Sequence, residues 1–174
     1  MKILSILFIS FFIVSNTFMA RVVGITDGDS ITILTGENEQ VKIRLEGIDC
    51  PEPRQDFGNR AKQTTSELCF GKSVRIVRTG TDRYGRTLAH VYVGEVSVGH
   101  ELVRRGLAWH YKSFNRDLEL ARLEEQARQS GIGLWSHPHP MPPWEWRKTS
   151  RNNAGKKRRE AYKFNCTISQ THEE

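Results

Sequence analysis

The chain has 174 residues, 37% of them hydrophobic, and a formal net charge of +6. That length suits one domain with extensions, large enough to bury a core without disulfide or metal staples. The charge is uneven: residues 147–163 hold eight Lys and Arg against one Glu, while residues 1–146 hold eighteen basic against seventeen acidic side chains, so overall basicity is no guide to what the body of the protein binds.

In chain order, Met1-Lys2 precedes a twelve-residue apolar run, Ile3 to Val14, interrupted only by serines and followed by polar Ser15-Asn16-Thr17. The run is too short for the ~20 residues of a spanning helix and reads as a secretory signal peptide over residues 1–17. The expected location is secreted or periplasmic; the alternative is a membrane anchor formed by the uncleaved segment. Ala20 is a small cleavage-site residue, but Phe18 before it is not; Thr17, with Ser15 before it, is at least as suitable.

Short strands follow. Val22–Ile25, Ile31–Leu34 and Val41–Ile48 alternate in polarity, with turns at Asp27-Gly28-Asp29 and at residues 36–39. Asn59 to Phe70 reads as an amphipathic helix closed by Gly71, placing Ala61, Thr64, Thr65, Leu68 and Cys69 on one face. Val74–Thr79, Leu88–Val93 and Val96–Val98 resume the strands, the last two joined by a Gly94-Glu95 hairpin signal. A short helix from His100 to Arg105 and a longer one from Asp117 to Ser130 complete a domain over residues 18–136. Five strands with three helices fit an α+β fold built on a small closed barrel of the OB type. Four prolines between residues 138 and 143 forbid a helix there and favour an extended segment over 137–146, with Trp144 and Trp146 as anchors onto the barrel. Residues 147–174 form a basic tail, read as flexible or loosely helical. His137 and His139 lack a carboxylate or cysteine nearby and are discounted as metal ligands. Cys50, Cys69 and Cys166 show no C-x-x-C spacing, which argues against a thiolate metal motif; one disulfide with a spare thiol stays open.

The stretch Arg44 to Glu52 places an arginine, three acids and a proline at a strand's end. Alternation sends Val41, Ile43 and Leu45 to one face and Lys42, Arg44 and Glu46 to the other. Hydrolysis of a phosphodiester needs neutralisation of developing charge, in-line placement of water and removal of its proton. Asp29 and Asp49 are hard oxygen ligands suited to Ca²⁺ or Mg²⁺, Arg44 and Arg86 can each grip a phosphate oxygen, and Glu52 remains as a general base. Each residue also has a plainer role: Asp27 as turn former, Arg44 and Glu52 as a surface ion pair, Asp82 and Arg86 as the brace of their own loop with Gly85 at positive φ.

Asp27-Gly28-Asp29-Ser30, Arg44 to Glu52 and Asp82 to Arg86 together resemble the three signature segments of the staphylococcal (micrococcal) nuclease family, and 102–108 and 133–135 are similar to its later segments. The resemblance covers roughly residues 20 to 146. Ser30 and Cys50 replace the usual threonines, Gly99 replaces a helix-capping asparagine, and 109–116 is shorter. The resemblance implies the OB-type nuclease barrel and a Ca²⁺-dependent endonuclease acting on DNA and RNA with little sequence preference, leaving 3′-phosphate ends. Asp29, Asp49 and the main-chain carbonyl of Cys50 would hold the metal, Arg44, Glu52 and Arg86 would be catalytic, and Arg83, Tyr84 and Tyr111 would contact substrate. A monomer with no stable protein partner is expected, in contact with a membrane only if residues 1–17 stay attached. The alternative is a catalytically inactive nucleic-acid-binding module, which would be expected to lack at least one of the five polar groups; all five are present.

Overall fold

The computed structural model describes residues 16–153, and within them the alternating apolar residues close a barrel. Its strands are β1 (Thr17–Ile25), β2 (Ser30–Leu34), β3 (Gln40–Leu45), β4 (Ile48–Asp49), β5 (Ser73–Thr81), β6 (Thr87–Val93), β7 (Val96–Ser97) and β8 (Trp109–His110). The order β3-β2-β1-β5-β6 is antiparallel throughout, and a parallel pairing of β3 with β6 closes the ring, with β7 appended to β6. This is the five-stranded OB-type barrel. Register shifts between Val22 and Gly24 and between Arg78 and Gly80 bend β1 and β5, the curvature a small barrel requires. The interior is filled by Val22, Ile31, Ile33, Ile43, Ile76 and Val91, all fully buried. Each such side chain contributes on the order of 1.5–3 kcal/mol.

Helix α1 (Gly58–Cys69) covers one end of the barrel with its Ala61, Thr64, Thr65 and Cys69 face, as the periodicity predicts. Cys69 and Cys50 are both free, buried thiols, so neither is joined to the other; Cys166 lies outside the described residues. Helix α2 (Val98–Arg104) is capped by Ser97, whose hydroxyl accepts from the His100 amide. The capping role therefore sits two residues before Gly99. Helix α3 (Leu118–Gln129) is capped by Asp117, which accepts from the Glu119 and Leu120 amides.

Two elements differ from the sequence expectation. The third strand does not run to Ile48: Gly47 turns the chain at φ +78°, and a Cβ there would lie 2.9 Å from Asn115 and Leu120 atoms. Ile48 and Asp49 leave the barrel sheet and pair with His110 and Trp109 instead. The extended reading of the proline-rich segment holds only to residue 142. A fourth helix, α4, spans 143–153 and contains Trp144 and Trp146. Proline blocks a helix interior but suits its first turn, where the missing N–H has no partner to lose, so Pro143 opens α4. Residues 1–15, which include most of the apolar leader, and the tail beyond 153 lie outside the described residues.

Candidate active site

A cleft of about 650 Å³ opens at the end of the barrel where β2, β3 and β6 meet, and three predicted loops line it. Arg44 is flanked by Ser30 on β2 and Leu88 on β6, so the barrel closure itself aims its side chain. Its guanidinium forms ion pairs with Asp29 and, at 2.8 Å, with Asp49. Asp29 is held further: one carboxylate oxygen accepts from the Cys50 amide at 2.6 Å and the other from the Ser30 hydroxyl at 3.2 Å. Arg44 is thus no surface partner of Glu52; it joins the two acids predicted to bind metal.

Burial sets the electrostatics. Asp29 and Asp49 are 5% and 1% exposed. Burial pushes the Asp49 carboxyl above its ordinary value, against the opposing pull of Arg147 and Arg44. Asp27 is pushed up to about 6, first by burial and then by repulsion from Asp29. Burial alone would lower the Arg44 pKa, but Asp29 and Asp49 raise it above the usual arginine value. Four acids, Asp27, Asp29, Asp49 and Glu52, share the cleft with the two guanidiniums of Arg44 and Arg147 that pair with them, so negative charge is in surplus and a divalent cation suits it. The donors are hard oxygens from two carboxylates, fewer than the six to eight that Ca²⁺ takes, so water and substrate oxygens would supply the rest. No three His, Cys, Asp or Glu side chains converge on one point among the described residues. The two-carboxylate set fits a cation shared with a phosphate.

Cys50 sits at this knot through its backbone. Its side chain is turned against Gly28, where an added Cβ would fall 2.8 Å from the Cys50 sulfur and from Ala61. Burial raises the thiol well above its ordinary pKa, which keeps it protonated and inert.

Arg86 reaches the same cleft from the β5–β6 turn. Asp82 accepts from its Nε at 2.7 Å and also from its backbone amide at 3.0 Å, while its Nη1 donates to Ser30 at 3.2 Å. The loop-brace role and the site role therefore coexist, with Gly85 at φ +79° allowing the turn. Tyr84 is 68% exposed, with Arg83 4.8 Å over its ring. Tyr111 lines the cleft, but one of its faces is covered by Trp144, stacked at 5.4 Å and 17°. His137 and His139 are exposed, and neither lines the cleft.

Glu52 is half-buried, on the loop between β4 and α1. That loop is fixed by Gln55, whose amide donates to the Glu52 carbonyl at 2.8 Å and whose Nε2 donates to the Met141 carbonyl at 2.5 Å. Gly58 packs so closely on the Glu52 carbonyl that a Cβ there would overlap it. The unforeseen member is Arg147 of α4. Its Nη1 donates to Glu52 at 2.8 Å and to Asp49 at 3.3 Å, and its Nη2 to Asp49 at 2.7 Å.

The staphylococcal nuclease homologue family model matches residues 42–137, more than half of the chain. This chain belongs to the staphylococcal nuclease family. An uncharacterized endonuclease of Haemophilus influenzae is 44% identical over 133 residues, covering 76% of this chain and 75% of that protein. Protein ParB of Escherichia coli is 42% identical over 76% of this chain and 80% of its own length. A micrococcal nuclease of Shigella flexneri is 37% identical over 78% of this chain and 83% of its own length. The protein is a hydrolytic endonuclease of that family, and nucleic acid is its substrate class. Within this nuclease, Asp29, Arg44, Asp49, Glu52 and Arg86 all line one cleft.

Proposed function

We propose that the protein is an exported, Ca²⁺-dependent endonuclease that cleaves DNA and RNA with little sequence preference and leaves 3′-phosphate ends. The observation that carries this reading is the convergence of Asp29, Arg44, Asp49, Glu52 and Arg86 on one open cleft. Asp29, Asp49 and the main-chain oxygen of Cys50 would hold Ca²⁺, which when bound neutralises charge on a phosphate oxygen. Glu52 accepts the proton of the attacking water. It is solvent-accessible and borne on a loop that Gln55 ties to the Met141 carbonyl, and general-base assistance of this kind is worth ~10²–10⁴ in rate. Arg44 and Arg86 bind the phosphate oxygens, Arg44 already oriented by Asp29 and Asp49 and Arg86 by Asp82. Such preorganised donors stabilise developing charge without moving during the reaction. Low sequence preference follows from a cleft lined by phosphate-gripping arginines and by tyrosines that can stack on any base.

Export rests on the apolar leader. Thr17 to Ala20 pair with Val77 to Val74 of β5, so cleavage after Thr17 would spare nearly all of that pairing and cleavage after Ala20 would delete it. A digest of double- and single-stranded DNA and of RNA, with Ca²⁺ and with a chelator, tests the reading. Chelator-sensitive cleavage of all three with phosphate on the 3′ end is expected; cleavage that persists in chelator, or products ending in 3′-hydroxyl, would overturn it.

A further inference from the structure

The catalytic barrel does not complete its own site. Glu52 and Asp49 come from the β4 region, but the cation that joins them comes from α4, some 95 residues further along the chain. Three features deliver it. Pro143 is buried at the start of the helix, and the Met141 carbonyl just before it is tied to Gln55 of the Glu52 loop. Trp144 stacks on Tyr111 and meets Trp109 edge-on at 5.6 Å, and Trp109 is the strand partner of Asp49. Arg147 lies three residues after Trp144 and so on the same helical face, which sends it into the cleft that the tryptophan flanks.

We propose that Arg147 is a positioning residue of this active site: its guanidinium holds the Glu52 and Asp49 carboxylates as a pair and so sets where the base stands. Without it, Glu52 would have no ion-pair partner among the described residues, and it would swing on its three side-chain torsions beside three other acids, Asp27, Asp29 and Asp49. The fork geometry matters, because one nitrogen touches both acids while the second grips only Asp49; a lysine ammonium cannot reproduce that planar spacing. The same contacts place a positive charge against a predicted metal ligand. Arg147 therefore opposes cation binding at Asp49 while ordering Glu52, a combination that simple structural support of the fold would not produce.

This assignment rests on the nuclease reading above, and the test separates the two. Full-length wild type, Arg147→Met and Arg147→Lys are compared for Ca²⁺ affinity by calorimetry without substrate, for kcat and KM on a fluorogenic oligonucleotide, and for melting temperature. In Arg147→Met, Ca²⁺ should bind about threefold or more tighter because a like charge has gone. At the same time kcat should fall about tenfold or more with KM little changed, because the base is no longer held. Arg147→Lys, which keeps the charge without the fork, should show the kcat loss with wild-type Ca²⁺ affinity, and it supplies the decision if the Met variant does not fold. Unchanged kcat in either variant, or Ca²⁺ affinity that is unchanged or weaker in the Met variant, would overturn the assignment while leaving a Ca²⁺-dependent wild type intact. A wild type that neither binds Ca²⁺ nor cleaves would overturn the nuclease reading and this assignment together.

Discussion

The two halves of the cleft are built differently. On one side, Asp29, Arg44 and Asp49 belong to strands or their immediate ends, are almost wholly buried, and are locked by barrel pairing and by the Cys50 amide. On the other, Glu52, Tyr84, Arg86 and Arg147 stand on loops or an appended helix, keep contact with solvent, and are held by side-chain pairs that can be exchanged. The strand-borne half concentrates charge that would be intolerable if left unpaired. The loop-borne half is where a polymer must enter, turn and leave. A fixed charge cluster faces an adaptable rim, and the two halves should respond differently to mutation.

The largest effect should come from the buried half. Removing Asp49 leaves Arg44 and Arg147 without their shared partner, and breaking a buried pair this way costs about 3–5 kcal/mol. Asp49→Ala should therefore lose both activity and a large part of its stability to urea. Glu52→Ala should lose activity while its unfolding free energy stays within about 1 kcal/mol of wild type, because its ion pair is partly exposed. Equal stability losses in the two variants would erase the distinction between the halves.

A smaller effect is expected beneath the metal ligands. Gly28→Ala pushes a methyl against Ala61 and Cys50, which should cost about 1–3 kcal/mol in thermal unfolding. Cys50→Ser should retain Ca²⁺-dependent cleavage, since only its backbone faces the chemistry, while losing about 1–3 kcal/mol for a buried hydroxyl. A large activity loss in folded Cys50→Ser under reducing conditions would assign the side chain a role at the metal.

The rim predicts a contrast between its tyrosines. Tyr84→Ala should weaken single-stranded substrate binding by about 1–2 kcal/mol with no change in melting temperature. Tyr111→Ala should lower the melting temperature as well, because it also removes the surface on which Trp144 stacks. The smallest effect concerns the residues beyond α4. Truncation after Asn153 removes Lys156, Lys157, Arg158, Arg159 and Lys163 and should reduce the salt dependence of long-DNA binding while leaving kcat on short oligonucleotides unchanged. Equal salt slopes with and without those residues would remove any phosphate-binding role from the tail.

Most of the fixed half was legible in the sequence. Period-two alternation placed Arg44 opposite Ile43 and Leu45, and the Asp-Gly-Asp turn placed Asp29, because strand pairing and turn chemistry act over a few residues. The break at Gly47 was not legible, since it depends on Asn115 and Leu120 crowding the glycine from far along the chain. On composition Arg147 falls in the basic tail, and the prolines before it argue for extended chain rather than a helix. The same Pro-Pro pair is also a helix start, and Trp144 followed three residues later by an arginine was the signal that a docked helix could turn a charge toward the barrel. Where Arg147 ends up depends on the stacking of Trp144 on Tyr111, a tertiary contact that local spacing does not encode.

The central claim is that this cleft hydrolyses phosphodiesters with Glu52 as its base. Its most direct test is the initial rate of double-stranded DNA cleavage at saturating Ca²⁺ by wild type and by Glu52→Gln, which keeps size and hydrogen bonding but cannot take a proton. A fall of about 10²-fold or more in the Gln variant, with its melting temperature preserved, is the predicted result. Cleavage by folded Glu52→Gln at the wild-type rate would contradict it.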